Sequence, residues 1–297
     1  MSLTTGGYDE SSHPAGASKR ERLARWLKGN GIEIGALHHP LPVPPSARVT
    51  YVDRLPESEL RRHYPELSGE VFAPVTVIGN AHDLSAFSDE SLDFVIANHL
   101  VEHLEDPIKA LIEFHRVLRP DGVLYLALPD GRLTFDQDRQ LTSLNHLLGE
   151  FRSGTQTNRR SHYLDWAVNV DKHSEPQAHA ARLDEMDYSI HFHVWVPDTF
   201  LEFLLATKRE AGLDFELAAY APPESAEDNE FILILLKGMS RKLRLPPADN
   251  WLPNGQRANR WQRFRDSVRR SPAGPILRPV YRALRRGWQA RLRAPTS

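Results

Sequence analysis

The strongest constraint on this chain is an alternation: short, nearly uninterrupted apolar runs separated by stretches with helical spacing. The runs are Gly31–Gly35, Val49–Asp53, Val75–Ile78, Leu92–Ala97 and Val123–Leu128. Continuous rather than alternating apolar residues mark strands covered on both faces, as in parallel sheets. Between the fourth and fifth runs, Pro107 to Leu118 carries apolar residues at helical spacing. It opens on a proline and stops at Arg119–Gly122. Parallel strands need crossovers of this kind. The pattern predicts an α/β, Rossmann-like doubly wound sheet that is mostly parallel.

Flanking signals set the limits of the domain. Residues 1–17, rich in Gly, Ser and Thr, read as a flexible arm. Ser18 is placed to cap a helix with Leu23, Trp26 and Leu27 on one stripe, ending at Gly29. Residues 131–195 break the rhythm with aromatic and His-rich, loop-like sequence, and read as an insertion or lid. The pattern resumes with a helix opened by Val196–Thr199 and running through Phe200–Ala211. Phe215–Tyr220 and Phe231–Leu236 then read as an antiparallel hairpin closing the sheet. The expected division is a domain over 18–240 and a tail over 241–297.

Charge separates these parts sharply. From Lys237 onward there are 16 Lys and Arg against 2 Asp and Glu, which leaves 21 basic and 37 acidic residues in 1–236. An acidic body with a basic tail points to an anionic partner for the tail. Within it, Leu277, Val280, Tyr281, Leu284, Trp288 and Leu292 fall on one helical face. A basic amphipathic helix suits an anionic membrane surface or a protein partner; docking on the acidic body is the plainer alternative. Nucleic acid ranks last, because no basic groove on the body continues the patch. The chain has no cysteine, which removes disulfides and thiolate chemistry. It shows no signal-peptide pattern and no run long enough to span a bilayer. The expected location is the cytoplasm, with peripheral attachment at the inner membrane surface.

Three strand ends carry binding chemistry, and parallel sheets bind ligands there. Glu33 and Gly35 precede Ala36–Pro40, where glycine permits a tight turn and close ligand approach. Asp53 is an acid about 20 residues past such a turn, the spacing at which a carboxylate accepts ribose hydroxyls. Gly79–Leu84 offers a side-chain amide or carboxylate that could read an adenine edge.

These segments resemble, in order, the motifs of class I S-adenosylmethionine-dependent methyltransferases, closest to the small-molecule branch. The resemblance rests on Glu33-x-Gly35, Asp53, Gly79–Ala81, Ser91–Asn98, Glu102–Pro107 and Arg116–Gly122. It covers roughly residues 20–130. It implies a seven-stranded sheet with an antiparallel last strand, and S-adenosylmethionine as cofactor. It also implies that Glu33 and Gly35 shape the methionine pocket and that Asp53 binds ribose. Asn80 and Ala81 match the adenine-contacting pair, and Asn98 the strand end beside the sulfonium. Three positions depart from the family: Leu37 and His39 replace further glycines, and Asn80 replaces the commoner Asp.

Candidates for the acceptor side are Asp130 at the end of the fifth strand, with His191 and His193 in the insertion. Histidine near neutral pKa suits deprotonation of an alcohol, so the expected chemistry is O-methylation of a small-molecule or glycan-type acceptor. Asp136 and Arg139 read most simply as a structural ion pair. Five histidines (162, 173, 179, 191 and 193) crowd this segment, but their spacing matches no standard zinc pattern, and no metal is expected. The alternative function is a non-catalytic α/β binding or scaffold protein with a basic localisation tail.

Overall fold

The computed structural model describes residues 18–225 and 227–238. The expected arm and basic tail lie outside the described residues. Seven strands form one sheet: β1 (Gly29–Ile34), β2 (Ala47–Asp53), β3 (Val77–Ile78), β4 (Leu92–Asn98), β5 (Leu118–Pro129), β6 (Phe215–Ala221) and β7 (Glu230–Lys237). Their spatial order is β3-β2-β1-β4-β5-β7-β6. The first five pair in parallel, and β7 runs antiparallel to both β5 and β6. This is the Rossmann-like, doubly wound arrangement the sequence predicts, with the hairpin supplying the antiparallel strand.

The continuous apolar runs have the predicted cause. On β4, Phe94 and Ile96 face one apolar cluster with Ala24, Leu27 and Tyr125, while Val95 and Ala97 face another with Leu111 and Phe114. The second cluster is covered by α3 (Pro107–Val117) and α7 (Pro197–Glu210). Asp106 caps α3 by accepting the Lys109 N–H at 2.9 Å, and Ile108, Leu111 and Phe114 bury its inner stripe. Burying Phe114 contributes about 2–3 kcal/mol. Arg119–Gly122, read as the stop after this helix, already lies within β5. Helix α1 (Lys19–Ala24) begins with the expected Ser18 cap, completed reciprocally by Glu21.

Residues 131–195 depart from the loop-like reading. They hold α4 (Leu144–Ser153), α5 (Gln156–Asn169) and α6 (Pro176–Glu185). Tyr163, Trp166, Ala180, Leu183 and Phe192 form a separate small core there. Because this core is filled by aromatic and small side chains, α5 and α6 lack the long aliphatic stripe that announces α3, while Leu147 of α4 joins the main core. Among the described residues, no helix is long and apolar enough to cross a membrane.

Candidate functional site

Sheet register assembles the first part of the site. Ile34 on β1 sits between Val52 on β2 and Ala97 on β4. The next residues along the three strands, Gly35, Asp53 and Asn98, therefore emerge side by side. Asp53 also pairs with Ile78, which brings Gly79 and Asn80 to the same edge. Strand order reverses between β1 and β4, and open α/β sheets take their ligands in the crevice at the carboxyl ends beside such a switch point. Glu33, Gly35, Ala36, Asp53, Asn80 and Asn98 all lie along it. Ala81 lies beneath, buried with Val52 and Leu84.

Local bonding fixes these groups. The buried Glu33 carboxylate accepts the Leu41 N–H at 3.0 and 3.1 Å and the Asn98 amide at 3.3 Å. It thus ties the 36–40 loop back onto the strand ends. Burial pushes its pKa up to about 7, against the pull of those hydrogen bonds. Gly35 takes φ of 70°, and an added Cβ would meet only Leu100 Cδ1, at 3.3 Å. Leu37 takes φ of 47°, a left-handed conformation that glycine adopts freely. The turn therefore keeps its path at a cost of about 1–2 kcal/mol for the leucine. Asp53 accepts the Arg54 N–H at 2.7 Å, and burial raises its pKa. The Asn80 carbonyl accepts the His82 N–H at 2.8 Å. Asn98 Oδ1 is buried with no hydrogen-bond partner.

A chain of charged and titratable groups leads from this crevice into the insertion. Glu230 joins Arg20 at 2.6 Å and His99 at 2.9 Å. His99 Nδ1 lies 3.6 Å from Glu102, whose carboxyl is fully buried with both oxygens unpartnered. Burial raises the Glu102 pKa. Glu102, His103 and His191 offer polar atoms within 4.8 Å of one another. His191 Nδ1 lies 2.6 Å from Asp136 Oδ2, and Asp136 Oδ1 lies 2.7 Å from Arg139. Burial raises the Asp136 pKa, but the bonds from His191 and Arg139 outweigh it and hold the carboxyl low. An ionised Asp136 only accepts, so His191 Nδ1 carries the proton of that hydrogen bond. The Asp136–Arg139 ion pair is present as read from sequence, with both side chains almost wholly buried.

The other acceptor-side candidates fall elsewhere. Asp130 is buried, and both its oxygens are gripped by Arg132, at 2.8 and 2.5 Å. His193 is buried beside His146 and His162, and its Nε2 contacts the Glu105 carbonyl at 3.2 Å. The five clustered histidines do not form one group: 173 and 179 stack on each other, and 162 and 193 join His146 and Glu150. Sequence reasoning missed Glu102, Glu230, Glu150 and His146. Glu102 stands in a motif quoted for its likeness, and Glu150 lies four residues after His146, but neither spacing alone assigns a role.

Residues 23–126 match the family described as methyltransferase domain. Over that segment the chain is similar to methyltransferase domains. A curated relative, an uncharacterized 37.1 kDa protein in a transposon of Streptomyces fradiae, is 35% identical over 111 residues. That match covers 36% of this chain and 30% of the relative, so the chain spans less than a third of the relative's length. Among solved structures, a Methanosarcina mazei S-adenosylmethionine-dependent methyltransferase is 17% identical, over 74% of this chain and 98% of that one, with a TM-score of 0.40. A Thermotoga maritima S-adenosylmethionine-dependent methyltransferase, described as a possible histamine N-methyltransferase, is 16% identical, over 73% and 89%, with a TM-score of 0.39.

The cofactor that a methyltransferase domain implies is S-adenosylmethionine, and the crevice residues fit it. The unpartnered Asn98 Oδ1 and the Glu33 carboxylate are acceptors suited to an ammonium group. Gly35 leaves space where a side chain would stand, and Asp53 is a buried acid suited to a diol.

Proposed function

We propose that this methyltransferase domain methylates a hydroxyl oxygen of a small-molecule or glycan-type acceptor, with His191 as general base. The observation that carries the reading is the buried Asp136–His191 pair at 2.6 Å. Bound S-adenosylmethionine supplies an activated methyl group on a positively charged sulfur. Glu33, Asp53 and Asn98 bind and orient it. His191 accepts the acceptor's hydroxyl proton at Nε2, and Asp136 holds the ring in the tautomer that makes this possible. Asp130 anchors Arg132, whose exposed guanidinium faces solvent at the end of β5.

The experiment is a turnover assay that reads S-adenosylhomocysteine released with panels of hydroxylated and amine acceptors. Turnover on hydroxylated compounds that is lost in His191→Ala supports the reading. Turnover on amines alone, or activity indifferent to His191, overturns it. The same reading gives the basic tail an anionic membrane surface as partner.

A further inference from the structure

Away from the crevice, the insertion gathers three imidazoles and a carboxylate. His146 and Glu150 lie four residues apart on α4, which puts them on one helix face. His162 comes from α5, and His193 from the extended segment preceding α7. His146 Nε2 lies 3.1 Å from His162 Nε2 and 3.2 Å from Glu150 Oε1, and His162 Nε2 lies 2.9 Å from that same oxygen. His193 Nε2 lies 3.7 Å from Glu150 Oε2. All four residues offer an atom within 4.8 Å of the others.

Hydrogen bonding alone does not satisfy this triangle. With Glu150 ionised, each Nε2 either carries one proton or presents a lone pair. If both imidazoles donate to Glu150, their two N–H groups face each other. If one donates to the other, the second points a lone pair at the carboxylate. Every such assignment leaves one close edge repulsive, and a cation at the centre removes the conflict because all three lone pairs then converge on it. Two further atoms want a partner: Glu150 Oε2 and His193 Nδ1 are buried without one. The Glu150 and His193 side chains are 1% and 0% exposed, so water does not supply the missing partners freely.

We propose that His146, Glu150, His162 and His193 form a binding site for one divalent transition-metal ion, with zinc the expected occupant. Tetrahedral zinc with bonds of about 2.0–2.1 Å places its ligand atoms about 3.3 Å apart, close to the observed edges. Three nitrogens and one oxygen suit zinc and its first-row neighbours; magnesium and calcium prefer all-oxygen shells. His193 Nε2 donates to the Glu105 carbonyl, so His193 completes the shell through its unpartnered Nδ1; four protein ligands close the shell, and the ion is structural. It pins α4 and α5 to the segment that also carries His191.

The test uses full-length protein stripped with chelator and titrated with zinc sulfate, read by calorimetry and by metal content after dialysis. Cobalt(II) substitution adds a spectroscopic readout, since a tetrahedral site gives intense visible absorption. The expected result is one ion per chain. Affinity should fall at least tenfold in Glu150→Gln and His162→Ala, and stay unchanged in His173→Ala. His146→Gln, at the most exposed ligand, serves where His162→Ala fails to fold. No zinc binding by the folded wild-type protein overturns the site. So does binding that Glu150→Gln and His146→Gln leave unchanged. Neither readout depends on methyl transfer, so failure here is separable from failure of the proposed activity.

Discussion

At the level of single residues, burial and hydrogen-bond partners set where protons sit. In its proposed role, His191 needs the tautomer that the Asp136 hydrogen bond favours. Asp136→Asn keeps the shape but can present its amide to Nδ1, which moves the imidazole proton to Nε2. Turnover should fall about 100-fold or more, while S-adenosylmethionine affinity stays the same; equal turnover would remove the tautomer argument. Glu230 gives a pH prediction. Burial opposes its ionisation, but bonds to His99 and Arg20 prevail and hold its pKa at about 2, below the ordinary 4.5. Because the folded value is the lower one, the contribution is present above about pH 4.5 and is lost as pH falls through about 2. It amounts to at most about 3 kcal/mol. Thermal melts of wild type and Glu230→Gln should differ most near neutral pH and converge below pH 4.5. A constant gap from pH 7 to pH 3 would contradict the assignment. Asp53 and Asn98 were legible in the sequence because strand ends are legible. The Asp136–His191 pair was not, since its members meet across 55 positions through a fold that neither residue announces.

At the scale of elements, strands were easier to read than the insertion. A strand buried on both faces has no polar positions to confuse it, and β4 and β5 illustrate this from Leu92 to Asn98 and from Val123 to Pro129. Helices α5 and α6 pack on each other, whereas Leu147, Leu148 and Phe151 of α4 join the main core, and all three helices carry His, Arg or Asp on most turns. Their core of Tyr163, Trp166 and Phe192 reads in sequence as scattered aromatics. Strand β1 shows how tightly the sheet itself is built. A Cβ at Gly31 would lie 2.3 Å from the Phe94 ring and 2.4 Å from the Phe94 carbonyl. Gly31→Ala must therefore push β1 from β4 or turn the Phe94 ring out of its cluster. A loss of about 1–3 kcal/mol is expected from such overpacking. Urea unfolding should show a lower midpoint at an unchanged slope; an unchanged midpoint would mean the β1–β4 contact is looser than described.

At the scale of the whole molecule, the chain joins an acidic body of 21 basic and 37 acidic residues to a tail with 16 basic residues from Lys237 onward. If that tail meets anionic lipid, each arginine near the surface contributes about 1 kcal/mol, screened over about 10 Å at 0.1 M salt. Full-length protein should pellet with anionic vesicles at low salt and be released at high salt. The triple change of Arg282, Arg285 and Arg286 to Glu should abolish pelleting. Pelleting that survives this charge reversal would leave the arginines no role. In the proposed reading, the crevice between β1 and β4 binds S-adenosylmethionine through Asp53. Isothermal titration of the folded protein measures it directly. One site with a dissociation constant below about 1 mM is expected. Asp53→Ala should weaken it by about 1–3 kcal/mol, roughly 5- to 150-fold, as a charged hydrogen-bond acceptor is lost. No binding by well-folded protein at millimolar ligand, or identical affinity in Asp53→Ala, would contradict it.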